Sequence, residues 1–409
     1  IIAATCLALA FLIKNLYLFF AIYFQGAILK KLRFETTLKL FKHYIDLPYI
    51  EHKNKDPAIL IRTIESDVSR SFTWITSCFT VMRESIILFS IFILLVVADP
   101  IITSLLVLFL IIPLSLYYFS YRNLLKSRGE RSQILLGKKY KTINQSLGLI
   151  KETKILNKKK FFFKSFSKTI NEVENIHFFN YLVVATPKLF LEVLALSAVA
   201  LISAVLIFMG KSPEFILPII SLFAVSVARF VPGLNSITGA LTTQRYMKPS
   251  FDIIVKEMNK LYLSTNISPQ VNHEKKISLK KEIILNDVSF NYLSKKKTIL
   301  KNINMKIEKG TSVGIIGRSG SGKSTLVDII LGLLTPDSGK VIVDKNDIRN
   351  NIQAWQNQIG YVPQSVYLTD STLKNNVAFG IENNKIDEDA VWRAIQSAQL
   401  GEFVASQSE

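Results

Sequence analysis

Five long apolar runs constrain this chain more than any other feature of its sequence. A helix needs about 20 mainly apolar residues to cross the hydrocarbon core of a membrane. The runs that meet this requirement are residues 1–29, 79–98, 101–121, 182–209 and 215–232. The first run is longer than the apolar core of a signal peptide and no small-residue cleavage site follows it, so we interpret it as a membrane helix. The sequence therefore predicts an all-α transmembrane helix bundle over residues 1–265.

The distribution of basic residues predicts how these helices are oriented. The chain has 50 Lys and Arg against 31 Asp and Glu, a formal net charge of +19. Most bases in this part lie in the long polar stretches 30–78 and 122–181, whereas the connections 99–100 and 210–214 are short. Because cytoplasmic loops carry an excess of Lys and Arg, we expect the long stretches in the cytoplasm and residue 1 outside, which implies a further span upstream. The spread of this charge favours contact with solvent and membrane lipids and argues against a nucleic-acid partner.

Helical periodicity continues beyond the apolar runs. Ile143, Leu147, Ile150 and Ile155 recur at spacings that place them on one face of a helix. We therefore expect the membrane helices to extend well into the cytoplasm.

The last third of the chain has a different character. Residues 266–281 are polar and charged, which is typical of a linker, and residues 282–409 show an α/β pattern. The predicted elements are strands at 283–292, 312–316 and 341–343 and a helix at 326–334. The predicted architecture is thus a transmembrane bundle followed by an α/β domain.

A glycine-rich loop carries the chemistry of this α/β segment. It runs Gly317, Arg318, Ser319, Gly320, Ser321, Gly322, Lys323, Ser324 and Thr325, a full match to the phosphate-binding loop pattern. Its glycines let backbone N–H groups turn toward phosphate oxygens, and the helix that follows points its positive end at the same anion. We expect Lys323 to reach the β and γ phosphates and the Ser324 hydroxyl to ligate Mg²⁺. The sequence therefore predicts a P-loop ATPase that uses ATP and Mg²⁺.

With this loop in place, residues 282–409 resemble the first part of the nucleotide-binding domain of an ABC transporter, and the chain as a whole is similar to an exporter-type half-transporter. Tyr292 matches the family's adenine-stacking position. Gln364, in the segment 361–364, matches the glutamine that senses Mg²⁺ and the attacking water. The resemblance implies a nucleotide site made by Tyr292, Gly317, Ser319, Gly320, Ser321, Gly322, Lys323, Ser324 and Thr325, with Lys323 and Gln364 active in catalysis and Ser324 and Gln364 near the metal.

Other family motifs have no match in the sequence. The LSGGQ signature, the Walker B carboxylates and a switch histidine are absent before Glu409, and all four histidines precede the phosphate loop. We therefore interpret the chain as a fragment that lacks the first helix and the second half of the ATPase domain, and we expect it to hydrolyse no ATP by itself.

The resemblance implies an ATP-driven exporter subunit in the cytoplasmic membrane, with its ATPase domain in the cytoplasm and a second half-transporter as partner in a homodimer. Residues 148–152, 227–235 and 245–246 resemble the lipid-linked oligosaccharide flippases. Exporters of lipid A, a drug or a peptide stay open as alternatives, as does an ATP-gated membrane regulator or channel. By the same resemblance, segments 47–56 and 144–151 are expected to dock on the ATPase domains.

Three basic residues within or beside the apolar runs suggest the cargo. Lys14, Arg83 and Arg229 lie where an ionisable group is costly unless it faces the bundle interior or a wet cavity. They predict a site for an anionic, lipid-anchored substrate. The structural alternative is pairing with Glu84 or Glu192, or snorkelling of Lys14 to the interface.

Overall fold

The computed structural model describes residues 2–208, 210, 212–267, 277–292 and 298–407. The chain divides into two compact units, Ile1–Gln270 and Val271–Glu409, and each is described by itself. The predicted last residue of the fourth apolar run, at position 209, and residues 268–276 of the expected linker lie outside the described residues.

Long helices build the first unit. They are α1 (Ile2–Asp46), α4 (Val68–Ala98), α5 (Pro100–Gly148), α7 (Lys159–Phe208) and α8 (Pro213–Ile267), with the short helices α2 (Tyr49–Asn54), α3 (Pro57–Arg62) and α6 (Ile150–Ile155) between them. Five helical stretches of the described residues are long and apolar enough to cross a membrane. The prediction of an apolar helix bundle is therefore confirmed.

Four of these helices are much longer than a bilayer is thick. Helices α1, α5, α7 and α8 have 45, 49, 50 and 55 residues, or about 70–80 Å each at about 1.5 Å per residue. The hydrocarbon core measures about 30 Å. The predicted extension of the helices beyond their apolar runs is therefore confirmed, and the first two residues of the expected linker still belong to α8.

Asp99 forms the tight connection between α4 and α5. It ends α4, and its carboxylate accepts hydrogen bonds from the backbone N–H groups of Ile101 and Ile102, each at 3.0 Å. Pro100 occupies the first turn of α5, where its missing N–H costs nothing. Two membrane-length helices can therefore reverse direction through one residue.

The core of the first unit lies between α4, α5, α7 and α8. Leu95, Leu110, Leu191 and Phe223 are almost fully buried there, while many apolar side chains on the outer faces remain exposed. Helix α1 differs, because none of the described residues in its most apolar stretch is buried. Its packing is concentrated near its polar end, where Leu40 contacts a small cluster with α4 and α8.

The second unit contains a four-stranded sheet in the order β2-β1-β3-β4. The strands are β1 (Glu282–Phe290), β2 (Leu300–Glu308), β3 (Ser338–Val343) and β4 (Asn346–Asp347), and each neighbouring pair is antiparallel. The helices are α9 (Lys323–Ile330), α10 (Ile352–Gln356), α11 (Leu373–Val377), α12 (Glu388–Ser397) and α13 (Gly401–Ala405). Strands were thus predicted correctly at two of the three positions.

Two local predictions were wrong. Residues 312–316 form no strand, since no described strand pairs with them and Ile316 is 97% exposed. The helix after the loop begins at Lys323 and ends at Ile330, not at the predicted residue 334. Gly332 ends it with φ +69°, and Gly332 and Leu333 donate backbone hydrogen bonds to Ile329 and Asp328, the Schellman pattern that stops a helix.

Candidate functional site

The phosphate loop lies between residues 312–316, which form no helix or strand, and the first turn of α9. Gly320 and Gly322 have φ +79° and +94°, values that favour glycine. A β-carbon at Gly317 would stand 2.7 Å from the Ser321 hydroxyl oxygen, and one at Gly322 would stand 2.9 Å from a Leu300 methyl group. The glycines therefore keep the backbone in a turn that larger residues would open.

Lys323 is the first residue of α9, and its side chain folds back over the loop. Its Nζ donates hydrogen bonds to the backbone oxygens of Gly317 at 2.8 Å and Arg318 at 3.0 Å. An ammonium group has three donors, so one stays available for another acceptor. The charged group thus lies at the loop, beside the positive end of α9.

The hydroxyl groups of the loop have different surroundings. Ser319, Ser321 and Ser324 are exposed, whereas Thr325 is buried. Among the described residues no group of three or more His, Cys, Asp or Glu could hold a metal ion. An exposed serine hydroxyl is a suitable ligand for Mg²⁺, because this ion is usually held by few protein oxygens together with water and substrate phosphates. Ser324 is the loop residue placed to supply such an oxygen, and the glycine loop with Lys323 fits the phosphates of ATP.

Tyr292 lies beside the start of α9. Its hydroxyl is 3.3 Å from the Thr325 hydroxyl oxygen, and its ring meets Phe290 edge-on with centroids 5.0 Å apart. The structure therefore brings this predicted residue together with the phosphate loop. Only 9% of Tyr292 is exposed, so stacking on a base, which stays a prediction, requires one ring face to be uncovered.

Gln364 is not joined to the loop by any hydrogen bond among the residues that the structure describes. It is exposed, as are Tyr361 and Val362 immediately before it. Its role in sensing Mg²⁺ therefore stays a prediction.

The three basic residues predicted to bind cargo are all exposed. Arg83 donates two hydrogen bonds to the carboxylate of Glu84, at 3.1 and 2.9 Å. This is one of the pairings that the sequence left open. Lys14 lies over the ring of Phe11, with its Nζ 5.2 Å from the centroid. The structure shows no contact that joins Lys14, Arg83 and Arg229.

Glu192, the other acidic residue expected to pair with these bases, lies beside a different basic residue. Its carboxylate is 4.0 Å from Lys188, one turn away on α7.

A buried polar cluster in the first unit was missed by the sequence reasoning. Asp67 ends a π-helical turn, Thr63–Asp67, and is fully buried. Its carboxylate accepts hydrogen bonds from Arg62 Nε at 3.0 Å, Gln133 Nε2 at 3.2 Å and Ser250 Oγ at 2.8 Å. One acidic residue thus ties together the turn before α4, helix α5 and helix α8. The only sign of this cluster in the sequence is an acidic residue, Asp67, five positions after Arg62 in a stretch rich in basic residues.

Comparisons with known proteins agree with this arrangement. Residues 300–408 match the family model described as ABC transporter. Over 129 residues the chain is 36% identical to human ATP-binding cassette sub-family B member 5, a match that covers 31% of this chain and 10% of that protein. Over 283 residues it is 23% identical to an ATP-dependent lipid A-core flippase of Methylobacillus flagellatus, covering 68% of this chain and 46% of the flippase. The chain thus spans less than half the length of these curated relatives.

The fold has a counterpart among solved structures. The structure of a bacterial Atm1-family ABC exporter with ATP bound matches 94% of this chain and 66% of its own, with a TM-score of 0.72 and 15% sequence identity. At this identity the likeness concerns the fold alone. The family match covers residues 300–408, which include the phosphate loop, and the solved structure shows that the chain as a whole has a similar fold.

Proposed function

We propose that this chain is one half of an ATP-driven exporter of the cytoplasmic membrane, with its nucleotide-binding segment in the cytoplasm and a second copy as its partner. The observation that carries the proposal is a complete phosphate loop at the start of α9 on the same chain as five membrane-length apolar helices. Coupling ATP hydrolysis to movement through a helix bundle requires a nucleotide site that is joined to that bundle. ATP hydrolysis supplies the free energy for that movement.

Lys323 has the clearest role in binding. Its ammonium already lies at the loop, where it donates to two neutral carbonyl oxygens. Hydrogen bonds between charged partners are stronger than those to neutral ones, so phosphate oxygens compete favourably with these carbonyls. The backbone N–H groups of the loop and the N-terminus of α9 bind the same oxygens. We assign the Mg²⁺ contact to Ser324, stacking on the base to Tyr292 and sensing of the metal and the attacking water to Gln364.

For the cargo we propose an anionic, lipid-anchored molecule such as a lipid-linked saccharide. Arg83 and Arg229 lie in or beside apolar runs, and both are exposed. A guanidinium group matches phosphate oxygens through two parallel hydrogen bonds. Glu84 neutralises part of the Arg83 charge, so an incoming phosphate must compete with that carboxylate. One similar protein is itself described as a lipid A-core flippase, which supports a lipid cargo.

The competing function is a membrane regulator or channel in which ATP only gates an opening. The exporter fold of the similar solved structure favours transport over gating. The two functions differ in what a nonhydrolysable ATP analogue does. Such an analogue opens a gated channel, but it cannot drive repeated export.

The test is transport in proteoliposomes that contain the full-length protein of which this chain is a part and a fluorescent lipid pyrophosphate. We expect lipid movement between leaflets with ATP, a rise in ATPase rate with the same lipid, and no repeated movement with the analogue. Equal movement with ATP and the analogue would show gating instead.

A further inference from the structure

The C-terminal end of α9 is held by side chains of α10. The indole Nε1 of Trp355 donates a hydrogen bond to the backbone oxygen of Ile330 at 2.7 Å, and Nε2 of Gln356 donates to the backbone oxygen of Leu331 at 3.2 Å. The last carbonyl groups of a helix have no donor within that helix, so they need partners from elsewhere. Two neighbouring residues of α10 supply those partners here.

The contact between α9 and α10 is closely packed. Only 3% of Trp355 is exposed. Asn351 precedes α10, and its side chain accepts a hydrogen bond from the Ala354 N–H at 3.0 Å, which fixes the start of this short helix. A β-carbon at Gly332, just after α9, would stand 3.3 Å from a methyl group of Ile352. The indole ring therefore cannot leave α9 without opening this packing.

Helix α9 connects this contact to the phosphate loop. It has eight residues, a length of about 12 Å at about 1.5 Å per residue. Its first residue is Lys323, whose ammonium lies at the loop, and its last is Ile330, which accepts the hydrogen bond from Trp355. Leu326 and Ile329 are buried between these two ends. Because so short a helix moves as one rigid element, a shift at its C-terminal end also shifts the N–H groups and the ammonium at its start.

The backbone after α10 turns back on the same two residues. The N–H of Gln358 donates to the Trp355 backbone oxygen at 2.9 Å, and the N–H of Ile359 donates to the Gln356 backbone oxygen at 3.1 Å. Gln364, the predicted sensor of the metal, follows five residues after Ile359. Trp355 and Gln356 thus bind α9 through their side chains, and through their carbonyl groups they hold the segment that leads to Gln364.

We propose that Trp355, together with Gln356, is a positioning residue of the nucleotide site. Its contact fixes the orientation of α9, so that Lys323 and the N–H groups of the loop meet the phosphates of ATP. This role rests on ATP binding at the phosphate loop, which belongs to the proposed function. Without the contact, α9 has the binding orientation in only a fraction of the molecules, and the apparent dissociation constant of ATP rises as the inverse of that fraction.

The test is the affinity for ATP with Mg²⁺ of the full-length protein of which this chain is a part, measured by titration well below the melting temperature of every variant. Trp355→Phe keeps an aromatic ring but removes the N–H donor to a partly buried carbonyl, and Gln356→Ala removes an exposed donor. Because an unpaired buried acceptor costs more than a lost exposed hydrogen bond, we expect the dissociation constant to rise roughly tenfold in Trp355→Phe and roughly threefold in Gln356→Ala.

Two control variants separate positioning from general stability. Gln353→Ala removes the same kind of side chain from the same helix, but Gln353 is exposed and forms no hydrogen bond with α9 among the described residues. Ile395→Val weakens a buried cluster on α12, away from this contact. We expect a lower melting temperature in Ile395→Val and an unchanged dissociation constant in both controls.

The possible results are distinct. Equal affinities of Trp355→Phe, Gln356→Ala and the wild type, or an equal loss of affinity in Ile395→Val, would overturn the positioning role and leave the nucleotide site in place. If Trp355→Phe does not fold, the comparison of Gln356→Ala with Gln353→Ala decides, and equal affinities of these two would overturn the role. A wild-type protein that binds no ATP would contradict the nucleotide site and this role with it.

Discussion

Arg62 Nε lies 3.0 Å from the carboxylate of Asp67, and the side chain of Asp67 is completely buried. The same arginine donates from Nη1 to the backbone oxygen of Gln133 at 3.3 Å. Gln133 and Ser250 in turn donate to the carboxylate. A buried charge is tolerated when its partners satisfy it in this way. The polar extensions of α5 and α8 are thus tied to the turn before α4 by one buried carboxyl group.

We predict that Asp67→Ala lowers the free energy of unfolding by about 3 to 5 kcal/mol, because it leaves the Arg62 charge buried without its partner. The measurement is thermal unfolding of the first unit in detergent. Glu65→Ala is the control, since Glu65 is exposed on the same π-helical turn and surface changes usually cost about 0.5 kcal/mol or less.

A paired substitution checks the reason for this loss. Arg62→Met combined with Asp67→Leu removes both charges, so it is expected to cost less than Asp67→Ala alone. A loss below about 1 kcal/mol for Asp67→Ala would contradict the importance of the cluster.

Asp56 gives a prediction about pH. Lys141 Nζ is 2.9 Å from its carboxylate, and the Ala58 N–H donates to it at 3.0 Å. The hydrogen bond from Lys141 and then the one from Ala58 lower the pKa of Asp56 from its ordinary value. The stabilisation is therefore complete above the unfolded-state pKa, near 3.8, and is lost as the pH falls through the lowered pKa of the folded state.

The measurement for Asp56 is the melting temperature of the protein and of Asp56→Asn from about pH 7 to about pH 3. The pair is partly exposed, so we expect a difference worth about 1 kcal/mol or less at neutral pH, which shrinks in acid. Asp252→Asn, which removes another exposed carboxylate, is the control. A difference that stays constant down to about pH 3 would rule out this role for the carboxylate.

The Arg83–Glu84 pair predicts two opposite effects on anion binding. Arg83→Gln should weaken binding of a lipid pyrophosphate roughly tenfold or more, because charged hydrogen bonds contribute about 1.5 to 3 kcal/mol. Glu84→Gln should strengthen it, because the guanidinium loses its competing carboxylate. Fluorescence titration in detergent measures both, with Lys188→Gln as a control outside the pair. If neither variant changes the affinity, Arg83 is structural.

Some features of this molecule could be predicted from the sequence and others could not. Apolar runs and the phosphate loop are local patterns, so the five membrane-length helices and the position of Lys323 followed from composition and spacing. The run 312–316 has the composition of a strand, but a strand also needs a partner, and no described strand pairs with it. The hydrogen bond from Ser250 to Asp67 joins residues 183 positions apart, a contact that no local pattern reports.

The most direct test of the account is the affinity of the protein for ATP with Mg²⁺, measured by fluorescent nucleotide titration for the wild type, Lys323→Ala and Lys309→Ala. Lys309 is an exposed base outside the phosphate loop. Because a hydrogen bond to a charged group contributes about 1.5 to 3 kcal/mol, we predict that Lys323→Ala binds roughly tenfold to a hundredfold more weakly while Lys309→Ala binds as the wild type does. Equal affinities of Lys323→Ala and the wild type would contradict the assignment of this loop as the nucleotide site.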